Sequence, residues 1–303
     1  MKVTKPRGRP TLKSDDVILE GIVDQPSKPN HIFELEYENP EELKKIFSMI
    51  CSCTKKYVYF SFSETETVIT CKDHHGKLII NTVIYGDKSL RYFCSSPFEF
   101  SVIATDLDAL SNIIRKSFGQ MTLYVKDEKP YKLSICLHES QIGSFDSNNQ
   151  KTENKTVPLE LKAPLLNTYD VNFNLPSAHF KKRLTTFSKN QEVCKVYYRP
   201  HKDKKIKFQY ESSNGILGPK TEYVESKCQL ESFVTKEIGV SFKLEYFRSV
   251  FNTTINTDLK MYLSQNNGIC LTFNLNYITK ERLKHKTTKE GYAIIVRIFS
   301  QST

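Results

Sequence analysis

A chain of 303 residues with 44 Lys+Arg against 34 Asp+Glu carries a formal net charge of +10, and its 39% hydrophobic residues suffice for a buried core of about two domains. The charge favours a polyanionic partner, nucleic acid or an acidic surface. Eleven glycines, no G-x-G-x-x-G and no G-x-x-x-x-G-K-[ST] exclude the common nucleotide-cradling loops and collagen-like repeats. No stretch reaches the roughly 18 apolar residues of a membrane span, and the basic first residues do not form a signal peptide. The expected location is therefore intracellular, in a cytoplasm or nucleus, and not secreted. Seven of the eight cysteines lie in or beside apolar runs and there is no C-x-x-C pair, as expected of free thiols in a reducing compartment.

Residues 1–28 read as a mobile basic arm. Its Pro6-Arg7-Gly8-Arg9-Pro10 is the core of an AT-hook: a narrow A·T minor groove attracts Arg7 and Arg9, and Gly8 lets the backbone sit deep. A generic basic tail is the alternative. Residues 32–37 alternate as a strand. Pro40-Glu41-Glu42 opens a helix with its apolar face at Leu43, Ile46, Phe47 and Ile50. Strands follow at 57–62, 67–71, 78–85, 90–94 and 98–103. Thr105 caps a second helix over 106–118, and strands at 121–126 and 132–138 close this first unit.

The Ser/Asn/Gln/Lys-rich stretch 141–155, with the apolar Val157 to Leu161 after it, reads as a linker. The order of elements then begins again. A strand at 169–175 leads to a helix opened by Pro176-Ser177 with Phe180, Leu184 and Phe187. Strands at 194–198, 206–211, 222–228 and 232–235 follow. A fourth helix carries Leu244, Phe247, Val250 and Phe251, before strands at 259–263, 269–277 and 292–299, the last two split by a basic insertion, 280–289. Leu43-Lys44-Lys45-Ile46-Phe47 matches Phe180-Lys181-Lys182-Arg183-Leu184, and Phe100-Ser101-Val102 matches Val240-Ser241-Phe242, at a nearly constant offset. Preserved order at one offset marks an internal duplication. The domains expected are 29–140 and 164–303, joined by a linker over 141–163.

Each expected helix bears cations on a second face: Lys44 and Lys45; Arg115 and Lys116; Lys181, Lys182, Arg183 and Lys189; Lys243 and Arg248. Side by side, the four helices would form one basic stripe, suited to a phosphate backbone without base readout.

This organisation resembles the sliding clamps of the proliferating cell nuclear antigen (PCNA) type over residues 31–300. The resemblance is carried by residues 32–49 with Leu43-Lys44-Lys45, by Cys71-Lys72-Asp73-His74-His75-Gly76-Lys77-Leu78, by 169–198 with Leu175-Pro176-Ser177 and Phe180, and by 239–263 with Phe242-Lys243-Leu244-Glu245-Tyr246-Phe247. The arm, with Gly21-Ile22-Val23 and the Phe33 strand, is most similar to clamp homologues of large nucleocytoplasmic DNA viruses. The resemblance implies an α+β DNA-clamp fold of two repeated domains, each with two helices packed on antiparallel sheets, closing into a homotrimeric ring. It implies a DNA-binding processivity factor without enzymatic activity, cofactor or metal. Its partners would be double-stranded DNA, DNA polymerase and other replication or repair proteins. The helix cations would face duplex DNA. His75, Val157, Leu159, Leu161, Ile269 and Ile295 would line a pocket for partner peptides, ordinary linker packing being the alternative for Leu159 and Leu161. Strands 132–138 and 222–228 would pair between subunits.

Three rival readings stand beside it: a basic monomeric or dimeric viral processivity factor that holds DNA by charge, an AT-hook architectural protein, and an enzyme with a metal at Cys71, His74 and His75.

Overall fold

The computed structural model describes residues 30–37, 40–114, 119–139, 143–147, 152–153, 157–163, 166–175, 191–200, 205–212, 217–224, 237–251, 259–277 and 289–299. Strand β1 (His31–Tyr37) sends Phe33, Leu35 and Tyr37 inward. Helix α1 (Pro40–Cys53) starts on a proline with Glu41 and Glu42 in its first turn and buries Leu43, Ile46, Phe47, Met49 and Ile50. β2 (Tyr57–Phe62) alternates strictly, with Val58, Phe60 and Phe62 in the core. β3 (Glu66–Lys72) and β4 (Leu78–Tyr85) form a hairpin. Its turn is held by Asp73, whose Oδ1 accepts the N–H groups of Lys77 at 2.7 Å and Leu78 at 2.8 Å, with Gly76 at φ +69°. β5 (Arg91–Cys94) follows Gly86, where a Cβ would lie 2.7 Å from the Tyr92 ring.

β6 (Phe98–Ile103) runs straight into α2 (Ala104–Ile113). The helix begins before the expected Thr105 cap: Ile103 is the capping position and makes no side-chain cap. The Lys56 carbonyl instead takes the Ala104 N–H at 2.7 Å. β7 (Gln120–Lys126) and β8 (Lys129–Glu139) follow. β9 (Gly143–Ser147) and β10 (Thr152–Glu153) lie in the polar stretch expected to be linker. A ladder uses only backbone groups, so a strand at a sheet edge needs no apolar signature. Next come two 3-10 turns, Leu159–Leu161 and Leu166–Thr168, then β11 (Val171–Leu175), β12 (Gln191–Tyr198), β13 (Lys205–Ser212) and β14 (Leu217–Val224). The chain continues through β15 (Ile238–Lys243), α3 (Leu244–Phe251), β16 (Leu259–Ser264), β17 (Gly268–Tyr277) and β18 (Lys289–Ile298). The helix expected after Pro176 and the strand expected at 232–235 lie outside the described residues.

These strands make three antiparallel sheets, ordered β5-β1-β7-β8-β9, β10-β6-β2-β3-β4-β18-β17-β16-β11, and β14-β13-β12-β15. The fold is thus the expected α+β arrangement of helices on antiparallel sheets. The central sheet splices the two halves of the chain where β4 pairs with β18, from Ile84↔Tyr292 to Leu78↔Ile298. β8 is not the edge expected at 132–138. It lies between β7 and β9, and β9 takes the edge. Among the described residues β14 is an edge, and it begins five residues before the expected strand.

Ile80 sits in this splice opposite Val296, both fully buried. Ile80→Ala is expected to cost about 2–5 kcal/mol. Because both halves share the sheet, urea unfolding should remain one transition with a lower midpoint. Two separable transitions, only one of them shifted, would show that the splice does not couple the halves.

Candidate nucleic-acid interface and docking face

The helices pack as a layer, with α1 against both α2 and α3. Lys44 lies in this layer: its Nζ donates to the Ile114 carbonyl at the C-cap of α2, at 2.7 Å. A cation there suits the negative end of the helix dipole, so Lys44 joins two helices besides adding charge. Lys45 is exposed on the helix face that also carries exposed Ser48 and Ser52, and Lys55 is exposed just beyond the helix end. Sequence reasoning had not singled out Ser48, Ser52 or Lys55. Their i+3, i+7, i+10 spacing from Lys45 was the available signal. The exposed residues of α2 are Thr105, Asp108, Ala109 and Asn112, so its described part presents a carboxylate and no cation.

Lys243 is the last residue of β15 and not part of a helix. Its ammonium lies 3.7 Å from Glu245, a solvent-exposed pair of little energetic weight. Arg248 is half-buried on α3. Arg7, Gly8, Arg9, Arg115, Lys116, Lys181, Lys182, Arg183 and Lys189 lie outside the described residues.

Behind the exposed face of α1, burial pushes the Glu42 carboxyl up to about 7. Lys45 opposes this shift and Glu41 adds to it, and Glu42 Oε2 has no hydrogen-bond partner. At the seam between halves, the Tyr246 hydroxyl of α3 bonds the Asp73 carboxylate, and its pKa is raised to about 12, chiefly by burial.

A second arrangement lies on the outer face of the central sheet, where the chain crosses from β10 toward β11. Glu99 on β6 accepts the Val157 N–H at 2.8 Å and the Ser61 hydroxyl at 3.2 Å. The turn Leu159–Leu161 follows. Leu161 is fully buried, and its carbonyl accepts Asn81 Nδ2 at 2.7 Å. Asn81, itself buried on β4, also donates to Thr70 Oγ1 at 2.9 Å. Arg297 Nη2 on β18 donates to the Glu160 carbonyl at 3.2 Å, and Lys72 Nζ lies 3.6 Å from the Glu160 carboxylate. Leu159 is left 80% exposed.

Of the residues expected to line a peptide pocket, Val157, Leu159 and Leu161 belong to this strap. Ile295 is paired with Asn81 and shares its sheet face, half-buried. His75 is exposed on the β3–β4 turn, its ring 3.7 Å from that of His74. Ile269 does not belong to the set. It pairs with Ile298, which pairs with Leu78, on the core face of the sheet, and it is fully buried. Its strand position was expected correctly, but the opposite face was assigned. Asn81, Glu99 and Arg297 were missed. A polar residue inside the apolar runs LIINTVIY, FEFSVI and AIIVRI was the only mark. Cys71 is fully buried, with burial holding its thiol well above the usual range, while His74 and His75 are exposed. Among the described residues no three His, Cys, Asp or Glu side chains converge on a metal position.

This is the fold of the PCNA-type clamps. The crystal structure of proliferating cellular nuclear antigen from Entamoeba histolytica superposes with a TM-score of 0.68, covering 90% of this chain and 100% of that one at 16% identity. By sequence, the chain is 19% identical over 264 residues to an uncharacterized protein of African swine fever virus, covering 82% of this chain and 86% of that protein. The figures are the same for a tick isolate from South Africa and a pig isolate from Kenya. No family model matches.

Two predictions follow from this geometry. Folded Glu42 binds its proton more tightly than the unfolded chain does between pH 4.5 and about 7. Stability should therefore fall as pH rises through that window and stay lower above it. Glu42→Gln should raise the melting temperature at pH 8 and change it little at pH 4.5. Asn81→Ala leaves the Leu161 carbonyl without its donor and is expected to cost about 1–3 kcal/mol. Hydrogen exchange at the Leu161 amide, which bonds Pro158 O, should accelerate while the β12–β13 ladder is unaffected.

Proposed function

We propose that this protein is a DNA sliding clamp: a non-enzymatic ring subunit that encircles duplex DNA and tethers DNA polymerase and other replication or repair proteins. The observation that carries this reading is the clamp fold over nine-tenths of the chain. The net charge of +10 and the exposed Lys45–Ser48–Ser52–Lys55 stripe suit a phosphate backbone held without base readout. Among the described residues β9 pairs only with β8, and β14 only with β13, so each offers a ladder edge for another copy. In this reading residues 1–28 are a DNA-touching arm, 29–140 and 164–303 are the two clamp domains, and 141–163 connect them. Arg115, Lys116, Lys181, Lys182, Arg183, Lys189 and Arg248 join the exposed stripe in the pore. Partner peptides dock on the strap at Val157, Leu159 and Leu161, with His75 and Ile295. The setting is intracellular, at a site of viral DNA replication.

The same net charge favours a second reading, a monomer or dimer of this fold held on DNA by charge alone. Light scattering across protein and salt concentration separates the two. A ring of three gives about three times the 35.1 kDa chain mass and stays on circular DNA, but not on linear DNA, at high salt. A mass of one or two chains, with retention falling steeply with salt on both templates, sinks the closed ring. Lys45→Glu combined with Lys55→Glu should weaken duplex binding at low salt about tenfold without changing the mass; unchanged binding removes the stripe from the pore.

A further inference from the structure

Arg297 is the one buried charged side chain among the described residues whose charge nothing balances. Glu34, more deeply buried, lies 2.8 Å from His31 and 3.6 Å from Arg91. Asp73 accepts three backbone N–H groups. Lys207 lies over the Tyr197 ring. Arg297 is 9% exposed and makes a single hydrogen bond, from Nη2 to the Glu160 carbonyl, while its Nε has no acceptor. A guanidinium has five N–H donors, and burying its charge without a counter-charge is costly.

The neighbours do not remedy this. The Glu160 carboxylate is turned toward Lys72. Cys270 pairs with Arg297 across the β17–β18 ladder, and Tyr169 bonds Cys270. Burial pushes the Cys270 thiol up to about 12 and the Tyr169 phenol higher still, so both stay neutral. One residue along the strap from Glu160, Leu159 stands 80% exposed. An apolar side chain in water therefore lies next to a cation without an anion.

We infer that the strap face takes a peptide segment of a partner protein that places an apolar or aromatic side chain against Leu159 and an Asp or Glu carboxylate on Arg297. This rests on the reading of the strap as a docking surface and adds a requirement for an acidic residue in the peptide. The carboxylate joins the Glu160 carbonyl on the guanidinium and supplies the missing charge. Planar, bidentate pairing with a carboxylate is what a guanidinium does best. The apolar contact contributes affinity, and the buried charge contributes selection against peptides that leave it unpaired.

The test uses the full chain and fluorescence anisotropy. The probes are two sets of labelled peptides sharing one apolar-aromatic sequence, with Glu scanned through the remaining positions in one set and Gln in the other. At one position the Glu peptide should bind about tenfold tighter than its Gln twin. Arg297→Met should abolish that preference, so that the Glu and Gln twins bind it equally, and Arg297→Lys should retain part of it. The comparison on the unaltered protein decides the matter even if Arg297→Met does not fold. Equal binding of the twins at every position overturns the acidic requirement and leaves the docking surface standing. No binding by either set overturns both. Displacement of the Glu peptide by a short DNA duplex, with duplex binding weakened in Arg297→Met but kept in Arg297→Lys, would assign Arg297 to a phosphate and overturn the inference.

Discussion

Seven cross-strand pairs between β4 and β18 hold the first and second halves of the chain in one sheet, and the rest of the arrangement depends on them. β4 (Leu78–Tyr85) and β18 (Lys289–Ile298) lie far apart in the sequence, so the splice closes only after everything between them has been made. It puts Ile80 opposite Val296 on the core face and Asn81 opposite Ile295 on the outer face. The first pair joins the cores of the two halves. The second sets the floor on which the strap lies.

That floor explains how a polar connecting segment can cross an apolar sheet. Backbone that leaves a ladder must find other partners for its N–H and C=O groups. Here Glu99, Asn81 and Arg297 supply them from three strands, and the strap needs only one buried side chain, Leu161, to anchor it. The polar residues sit where neighbouring side chains are apolar, which makes each hydrogen bond stronger and each vacancy more costly. This is why Arg297, under-supplied with acceptors, stands out against Asn81, whose Nδ2 meets two.

The helix layer divides its charges by geometry. Lys44 and Lys45 are neighbours in sequence but face different surroundings. One donates to the end of α2, and the other reaches water. Asp73 joins the hairpin turn to α3 through Tyr246, so a single carboxylate fixes a loop of the first half against a helix of the second. The basic character expected of the layer is carried, among the described residues, by α1 and its C-terminal extension, with the half-buried Arg248 on α3. α2 contributes hydroxyl, amide and carboxylate groups.

Much of the fold was legible in the chain because alternation and helical spacing are local. β2, β4 and β6 have the expected bounds, and α1 opens at its proline. Periodicity says which residues share a face of an element; it does not say what that face meets. Ile269 therefore had its strand read correctly and its surroundings wrongly. β9 was hidden because an edge strand is held by backbone bonds that any composition can make. Lys44 meets its acceptor 70 residues away, and Arg297 meets its acceptor 137 residues away. Sequence alone determined most of the described strands, the first helix and the surplus of positive charge. Only the tertiary structure decided which cations are committed to other groups, which sheet edges are open and which buried charge lacks a partner, because each of these depends on groups that chain folding brings together from distant positions.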